Sequence, residues 1–266
     1  MQQIDLPSTW PQCWLLSDGR SPAVVEFVFD DVDPDALSAE LSAGPQPSDA
    51  PYNCLLVRGE DVLVLVDTGL GAAEHPFGGE GGGLWEELAR VRVDPAEIDV
   101  VVISHGHLDH IGGLVKNGEP AFPNARYLMP EGEWEYWTSP SVLDGLSELV
   151  ATPPREQLPP LAAAGVLERF TGELQVADDV RLVPAPGHTP AQVVVEVGAE
   201  RGFLYTVDAF LHPLQYRRPA WGRGMDLDGD AAAATRQALL ELATEREHRI
   251  GAAHWDVVLG PPPHGR

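Results

Sequence analysis

The chain has 266 residues, 44% of them in the hydrophobic set and 22% charged, which is enough for one substantial core. Its 17 Lys and Arg against 41 Asp and Glu give a formal net charge of −24, a balance that repels nucleic-acid backbones and anionic bilayers at long range. No apolar run approaches the ~20 residues of a bilayer span, no basic-then-apolar leader opens the chain, and two cysteines, Cys13 and Cys54, make no disulfide framework, so a cytoplasmic protein without membrane or nucleic-acid partners is expected.

In chain order, residues 54–66 form two apolar runs around Arg58-Gly59-Glu60-Asp61, the pattern of a hairpin. The second run ends at Asp67-Thr68-Gly69-Leu70-Gly71. A glycine cluster over 78–83 follows; it lacks the Lys-Ser/Thr of a phosphate-binding loop and reads as a flexible lip. Leu84–Val91 has helical spacing, and Asp94-Pro95-Ala96-Glu97 fits a capping box. Val100–Ile103, Ala125–Met129 and Val180–Pro184 read as strands, and Gln192–Val197 with Gly202–Val207 as a hairpin pair. Ala231–Arg246 is predicted as a helix capped by Asp228 or Asp230. Residues 30–52 and 138–163, rich in Pro, Ala, Ser and acid, read as surface loops or short helices. No composition break marks a linker, so one domain over 1–266 is expected, an α/β chain of two sheets with helices outside.

The chemistry concentrates where the run Val100–Ile103 enters Ser104-His105-Gly106-His107-Leu108-Asp109-His110. In an extended segment His105 and His107 share a face and reach one metal ion, while Asp109 and His110 fall on the turn beyond, where a second ion is in reach. The bland alternative, a solvated loop of satisfied histidines, does not account for that spacing.

His105-x-His107-x-Asp109-His110 after an apolar strand resembles the signature of metallo-β-lactamase-fold hydrolases. Val66-Asp67-Thr68-Gly69 is similar to the family's first motif, Pro186-Gly187-His188-Thr189-Pro190 to its third, Tyr205-Thr206-Val207-Asp208 to its fourth and Ala252-Ala253-His254-Trp255 to its fifth. The resemblance implies an αββα sandwich with two mixed sheets and helices on the outer faces. It implies that His105, His107 and His188 hold one divalent ion, that Asp109, His110 and His254 hold another, and that Asp208 bridges. Asp67 would orient the histidine segment. Nitrogen and carboxylate donors without thiolate suit Zn²⁺, with Mn²⁺, Fe²⁺ and Co²⁺ also chemically open. A bridging hydroxide, available because metal-bound water falls to a pKa of about 7, would be the nucleophile, and Asp109 would carry the released proton.

Within the family, Asn53–Arg58, Pro123-Asn124-Ala125, Glu133–Trp137 and Asp208–Gln215 are similar to the branch of N-acyl-homoserine lactonases and methyl parathion hydrolase. The absence of an Asp-Cys-His second site argues against β-lactam hydrolysis, and the acidity argues against RNA-cleaving members. Acyl-homoserine lactonases place a tyrosine three residues after the bridging aspartate; here Leu211 stands there, followed by His212. His212 is therefore a candidate catalytic residue, donating a hydrogen bond to the substrate oxygen or protonating the leaving alkoxide. Packing under Pro213 is its structural alternative.

Phe77, Trp221 and Leu211 are candidate pocket residues. Asp226-x-Asp228-Gly229-Asp230 hints at a calcium loop, but its glycine is misplaced and helix capping is the better reading. His75, His248 and His264 read as surface histidines. The expected activity is hydrolysis of lactones or carboxylic esters, on a small-molecule substrate and with a homodimer left open. Phosphotriester or aryl-ester hydrolysis and a non-catalytic metal-binding role are the alternatives.

Overall fold

The computed structural model describes residues 1–6, 11–42, 49–75 and 78–262. Strands come in chain order as β1 (Gln2–Ile4), β2 (Gln12–Pro22), β3 (Asp49–Arg58), β4 (Leu63–Val66) and β5 (Val100–Val102). A short ribbon, β6 (Val115–Lys116) with β7 (Glu119–Pro120), precedes β8 (Arg126–Pro130) and β9 (Leu167–Phe170). The second half holds β10 (Leu174–Ala177), β11 (Val180–Pro184), β12 (Val193–Val197), β13 (Phe203–Tyr205) and β14 (Arg249–Gly251). One sheet has seven strands ordered β1-β2-β3-β4-β5-β8-β9 and the other five, ordered β10-β11-β12-β13-β14. Both are mixed: β4, β5, β8 and β9 run parallel, as do β13 and β14, while the remaining pairs are antiparallel.

Why the sheets bury both faces is visible in the alternation. Along β2 and β3, Cys13, Leu15, Leu55 and Val57 join Val193, Val195 and Tyr205 of the other sheet in an inter-sheet core. The intervening Trp14, Leu16, Cys54 and Leu56 pack on the opposite side with Leu84, Leu88, Leu158 and Leu161 of the outer helices. Beyond the second sheet, Val194, Leu204 and Ile250 meet Leu239, Leu240 and Ala243 of the helix Gly229–Glu245. Three apolar layers separate four layers of secondary structure, the expected αββα sandwich. Strands buried on both faces read as continuous apolar runs, and that is how the segments 54–66 and 100–103 appear in the sequence.

Two expectations shift. Residues 138–163 contain a helix at Pro140–Leu143 and then a 16-residue helix, Glu148–Ala163, that includes Pro153, Pro154, Pro159 and Pro160. Burial of Ala151, Leu158 and Leu161 in the outer core overrides the prolines' cost to helix propensity. The glycine cluster is not a loose lip. Asp18 Oδ2 accepts from the backbone N–H of Gly71 and Gly82, its Oδ1 accepts from Leu84 N–H, and Glu80 exchanges two backbone bonds with Arg20. No described helix is long and apolar enough to cross a membrane.

Candidate metal centre

Each candidate ligand, and the orienting Asp67, follows a strand: Asp67 after β4, the histidine segment after β5, His188 after β11, Asp208 after β13 and His254 after β14. His105, His107, His188 and Asp208 offer ligand atoms all within 4.8 Å of one another, and Asp109, His110 and His254 form a second such group. Asp208 meets both. Its Oδ2 lies 3.4 Å from His188 Nε2 and 3.2 Å from His254 Nε2, while Oδ1 lies 3.3 Å from His110 Nε2. The chain is extended at His107 and then turns into the short helix Leu108–Ile111, which carries Asp109 and His110 to the second group.

Hydrogen bonds orient the rings. Asp67 accepts from Ser104 N–H at 2.8 Å, from Ser104 Oγ–H at 2.7 Å and from His110 Nδ1 at 2.8 Å. Ser104 Oγ in turn lies 3.0 Å from His105 Nδ1, so one buried carboxylate reaches a ring of each group. His188 Nδ1 meets Asp226 Oδ1 at 3.2 Å, and His254 Nδ1 meets the Pro51 carbonyl at 2.9 Å. These contacts leave Nε2 of all four rings on the ligand side, whereas His107 presents Nδ1, 3.0 Å from the Nε2 atoms of His105 and His188.

Glu133 ties the two halves together. Fully buried, it accepts from Gly106 N–H, Trp137 Nε1–H, Thr189 Oγ–H and Ala191 N–H. Burial nevertheless holds its carboxyl above the ordinary range. The residue before Asp208, Val207, has φ +50, a strained conformation for a β-branched side chain.

The electrostatics call for positive charge. Burial works against a charged His188, yet its bonds to Asp208 and Asp226 outweigh that and push it up to about 9. His110 and His254 are raised in the same sense by Asp208 and Asp109, again against burial. Burial, with His188 adding to it, takes His107 down to about 3. Asp208 is held well below the carboxylate range: burial opposes its charge, but His254 and His110 prevail. His110 Nε2 and Asp208 Oδ1 are buried with no hydrogen-bond partner among the described residues. Divalent cations on these lone pairs would take over the balancing role of the protons, so the donor set fits two ions.

The centre forms the floor of a cavity of about 360 Å³. Its walls are mainly apolar, with Pro22, Val24, Val25, Val28, Leu211 and Met225, and no lysine or arginine among the described residues lines it. Leu211 and His212 are among the residues that line it; Phe77 lies outside the described residues. Trp221 is a correction: it packs near Phe29 and Leu214, stacks under Arg218 and borders a separate shallow cavity. Gln215 draws the carbonyls of Trp221 and Gly222 to itself, which turns that segment aside.

Two histidines are also corrected. His75 lines the cavity, with Nε2 4.0 Å from Asp109 Oδ2, and His248 is buried against Glu196 at 2.8 Å. Neither position was legible, because their partners lie 34 and 52 residues away. Asp228 does cap the helix Gly229–Glu245, accepting from Ala231 N–H.

Residues 48–254 match the Metallo-beta-lactamase superfamily. The chain belongs to that superfamily. An N-acyl homoserine lactonase of a Bacillus species is 28% identical over 198 residues, covering 67% of this chain and 71% of that one. The AttM N-acyl homoserine lactonase of Rhizobium johnstonii is 30% identical over 110 residues, 36% of this chain and 40% of that one. Among solved structures, hydrolase AbOPH of the beta lactamase superfamily superposes with a TM-score of 0.81 at 21% identity, over 99% of this chain and 97% of that one. AidC, described as a dizinc quorum-quenching lactonase with a product bound, gives 0.79 at 24% identity, over 97% and 92%. At these identities the structural likeness carries the fold, and the branch resemblance seen in the motifs fits the sequence relatives. Superfamily membership with a His/Asp metal-ligating constellation makes the chain a metal-dependent hydrolase.

Proposed function

We propose that this metallo-β-lactamase-fold protein hydrolyses lactones or carboxylic esters at a dinuclear centre, with the whole of 1–266 acting as one hydrolase domain. The observation that carries the reading is the pair of ligand groups meeting at Asp208 on the floor of a mainly apolar cavity that no described lysine or arginine lines. Such walls favour an uncharged substrate with an acyl chain, and the lactonase relatives point the same way.

His105, His107 and His188 would hold one ion, Asp109, His110 and His254 the other, and Asp208 both, with Zn²⁺ the metal this donor set best suits. When bound, the ions supply Lewis acidity and lower the pKa of water to about 7. The chain's own groups do the rest. Asp109, 9% exposed and lining the cavity, turns Oδ2 toward His110 and His254, and its other oxygen would take up the proton released by attack and return it to the leaving oxygen. Asp67 and Ser104 hold the first histidines in one tautomer.

His212 supplies a donor. Its Nδ1 accepts from Leu214 N–H at 3.1 Å, so the ring proton sits on Nε2, a buried atom with no protein partner. Burial, reinforced by Arg217, takes the ring down to about 4, so it is neutral at pH 7. A neutral ring supports hydrogen-bond donation to the substrate oxygen over acid catalysis by an imidazolium, and the edge contact with Phe29 supports the structural alternative of a packed ring.

The test is a parallel assay of a lactone, a p-nitrophenyl ester and paraoxon on protein reconstituted with Zn²⁺, with elemental analysis alongside. Lactone and ester turnover at about two ions per chain is expected, with loss on chelation. Absence of turnover on all three at full loading would overturn the reading, and paraoxon as the preferred substrate would replace it with the phosphotriesterase alternative.

A further inference from the structure

The helix Gly229–Glu245 presents a core stripe of Ala232, Arg236, Leu239, Leu240 and Ala243, all buried, at the i, i+4, i+7, i+8 spacing of a packed helix face. Four members are apolar. The fifth is an arginine with no solvent exposure, at a position where leucine or methionine would pack.

Its contacts are specific. Arg236 Nη1 donates to Asp226 Oδ2 at 3.0 Å, and both side chains are wholly buried. Asp226 Oδ1 accepts from His188 Nδ1 at 3.2 Å. The guanidinium also donates through Nε to the Pro219 carbonyl at 2.7 Å and through Nη1 to the carbonyl of Ala209, the residue after Asp208, at 3.5 Å. Nη2 is buried without a partner. A buried ion pair is weak support for stability, since well-packed apolar replacements are often neutral or better. Its value here lies in what it touches.

We infer that Asp226 and Arg236 are positioning residues for the metal centre: the carboxylate fixes the His188 ring with Nε2 toward Asp208, and the arginine fixes the carboxylate while tethering the chain beside Asp208. The inference rests on the proposed dinuclear site. Removing the pair leaves His188 free to rotate or change tautomer, and partners of this kind typically govern metal affinity by 10–100-fold.

The experiment titrates metal-free protein with Zn²⁺ against a chromophoric chelator and records the melting temperature of the metal-free form. Wild-type protein binding two ions establishes the site; wild type binding fewer would instead sink the dinuclear reading, so the two failures are distinguishable. The double variant Asp226→Leu/Arg236→Met exchanges the pair for apolar side chains of similar bulk. It should keep the metal-free melting temperature within a few degrees and lose about 10–100-fold in affinity for one ion. A double variant that binds both ions as wild type does would overturn the inference, because a merely structural pair leaves affinity untouched. If that variant does not fold, Asp226→Asn and Asp226→Ala decide: the amide keeps an acceptor for His188 but loses the charge that holds Arg236, alanine loses both, and unchanged affinity for both ions in the two variants would reject the positioning role.

Discussion

The two arms of the centre are built on different plans. His105, His107, Asp109 and His110 lie within six residues, and a single carboxylate, Asp67, reaches His110 directly and His105 through Ser104. His188, Asp208 and His254 come instead from three strand ends spread over 67 residues, each with its own support. Asp226 backed by Arg236 holds His188, the strained turn at Val207 aims Asp208, and the Pro51 carbonyl holds His254. The contrast teaches how a buried carboxylate finds its partners. Asp67 satisfies itself with nearby backbone and hydroxyl donors, whereas Asp226 has to import a counter-charge from a helix on the outer face of the second sheet.

The contrast breaks at Asp208, whose carboxylate lies within 3.4 Å of ring nitrogens from both ligand groups. Asp208→Ala should weaken both ions together and lower hydrolysis by about 10³-fold or more, read by steady-state kinetics and metal count. A variant retaining a tenth of its activity would show that the arms work independently. Asp67→Asn sharpens the comparison: an amide cannot accept from all three donors, so affinity should fall about 10–100-fold across both groups, since Asp67 serves a ring in each. Loss of only one ion would mean that Ser104 does not relay the orientation.

A smaller effect belongs to the second arm alone. His212→Phe should lower turnover about 10- to 100-fold, the range for one lost donor to a developing oxyanion, with metal content unchanged. Lactones and activated aryl esters should suffer alike, because a neutral imidazole does not protonate the leaving group; a loss confined to poor leaving groups would restore the acid role.

The same variant carries a pH signature. His212 titrates near 4 in the fold against an ordinary 6.5, so between those values the unfolded chain binds a proton that the native state refuses. Wild-type stability should therefore drop as pH falls from about 6.5 to about 4, and by about 2 kcal/mol more than that of His212→Phe. Melting curves of both metal-free proteins across that range check it, and parallel curves would place the ring in water.

The compact arm was legible because its spacing is local. The seven candidate ligands and Asp67 stand in five motifs whose order alone suggests one centre, and the apolar runs of 54–66 and 100–103 predict doubly buried strands. What stayed hidden depends on distance. Arg236 carries no signal in the sequence until the fold sets Asp226 against it, and Asp226 reads as part of a capping cluster until His188, 38 residues earlier, arrives beside it. Glu133 looks like one acid in an aromatic helix, yet it binds both arms. The prolines of 148–163 argue against the helix that packing nonetheless enforces.

The turn at Val207 has a consequence for mutational tolerance. A left-handed valine costs about 1–3 kcal/mol, and the side chain that makes it awkward is also what holds it down, wholly buried in the inter-sheet core. Ala253, just before His254, sits in the same core, and its N–H donates to the Val207 carbonyl at 3.2 Å. Glycine at 207 would relax the turn but give up that anchor, and an unbranched apolar residue would relieve only the part of the strain that the β-branch adds. In a saturation scan the inter-sheet core around positions 207 and 253 should therefore be as unforgiving as the ligands themselves, and the substitutions it rejects should include some that leave the fold intact.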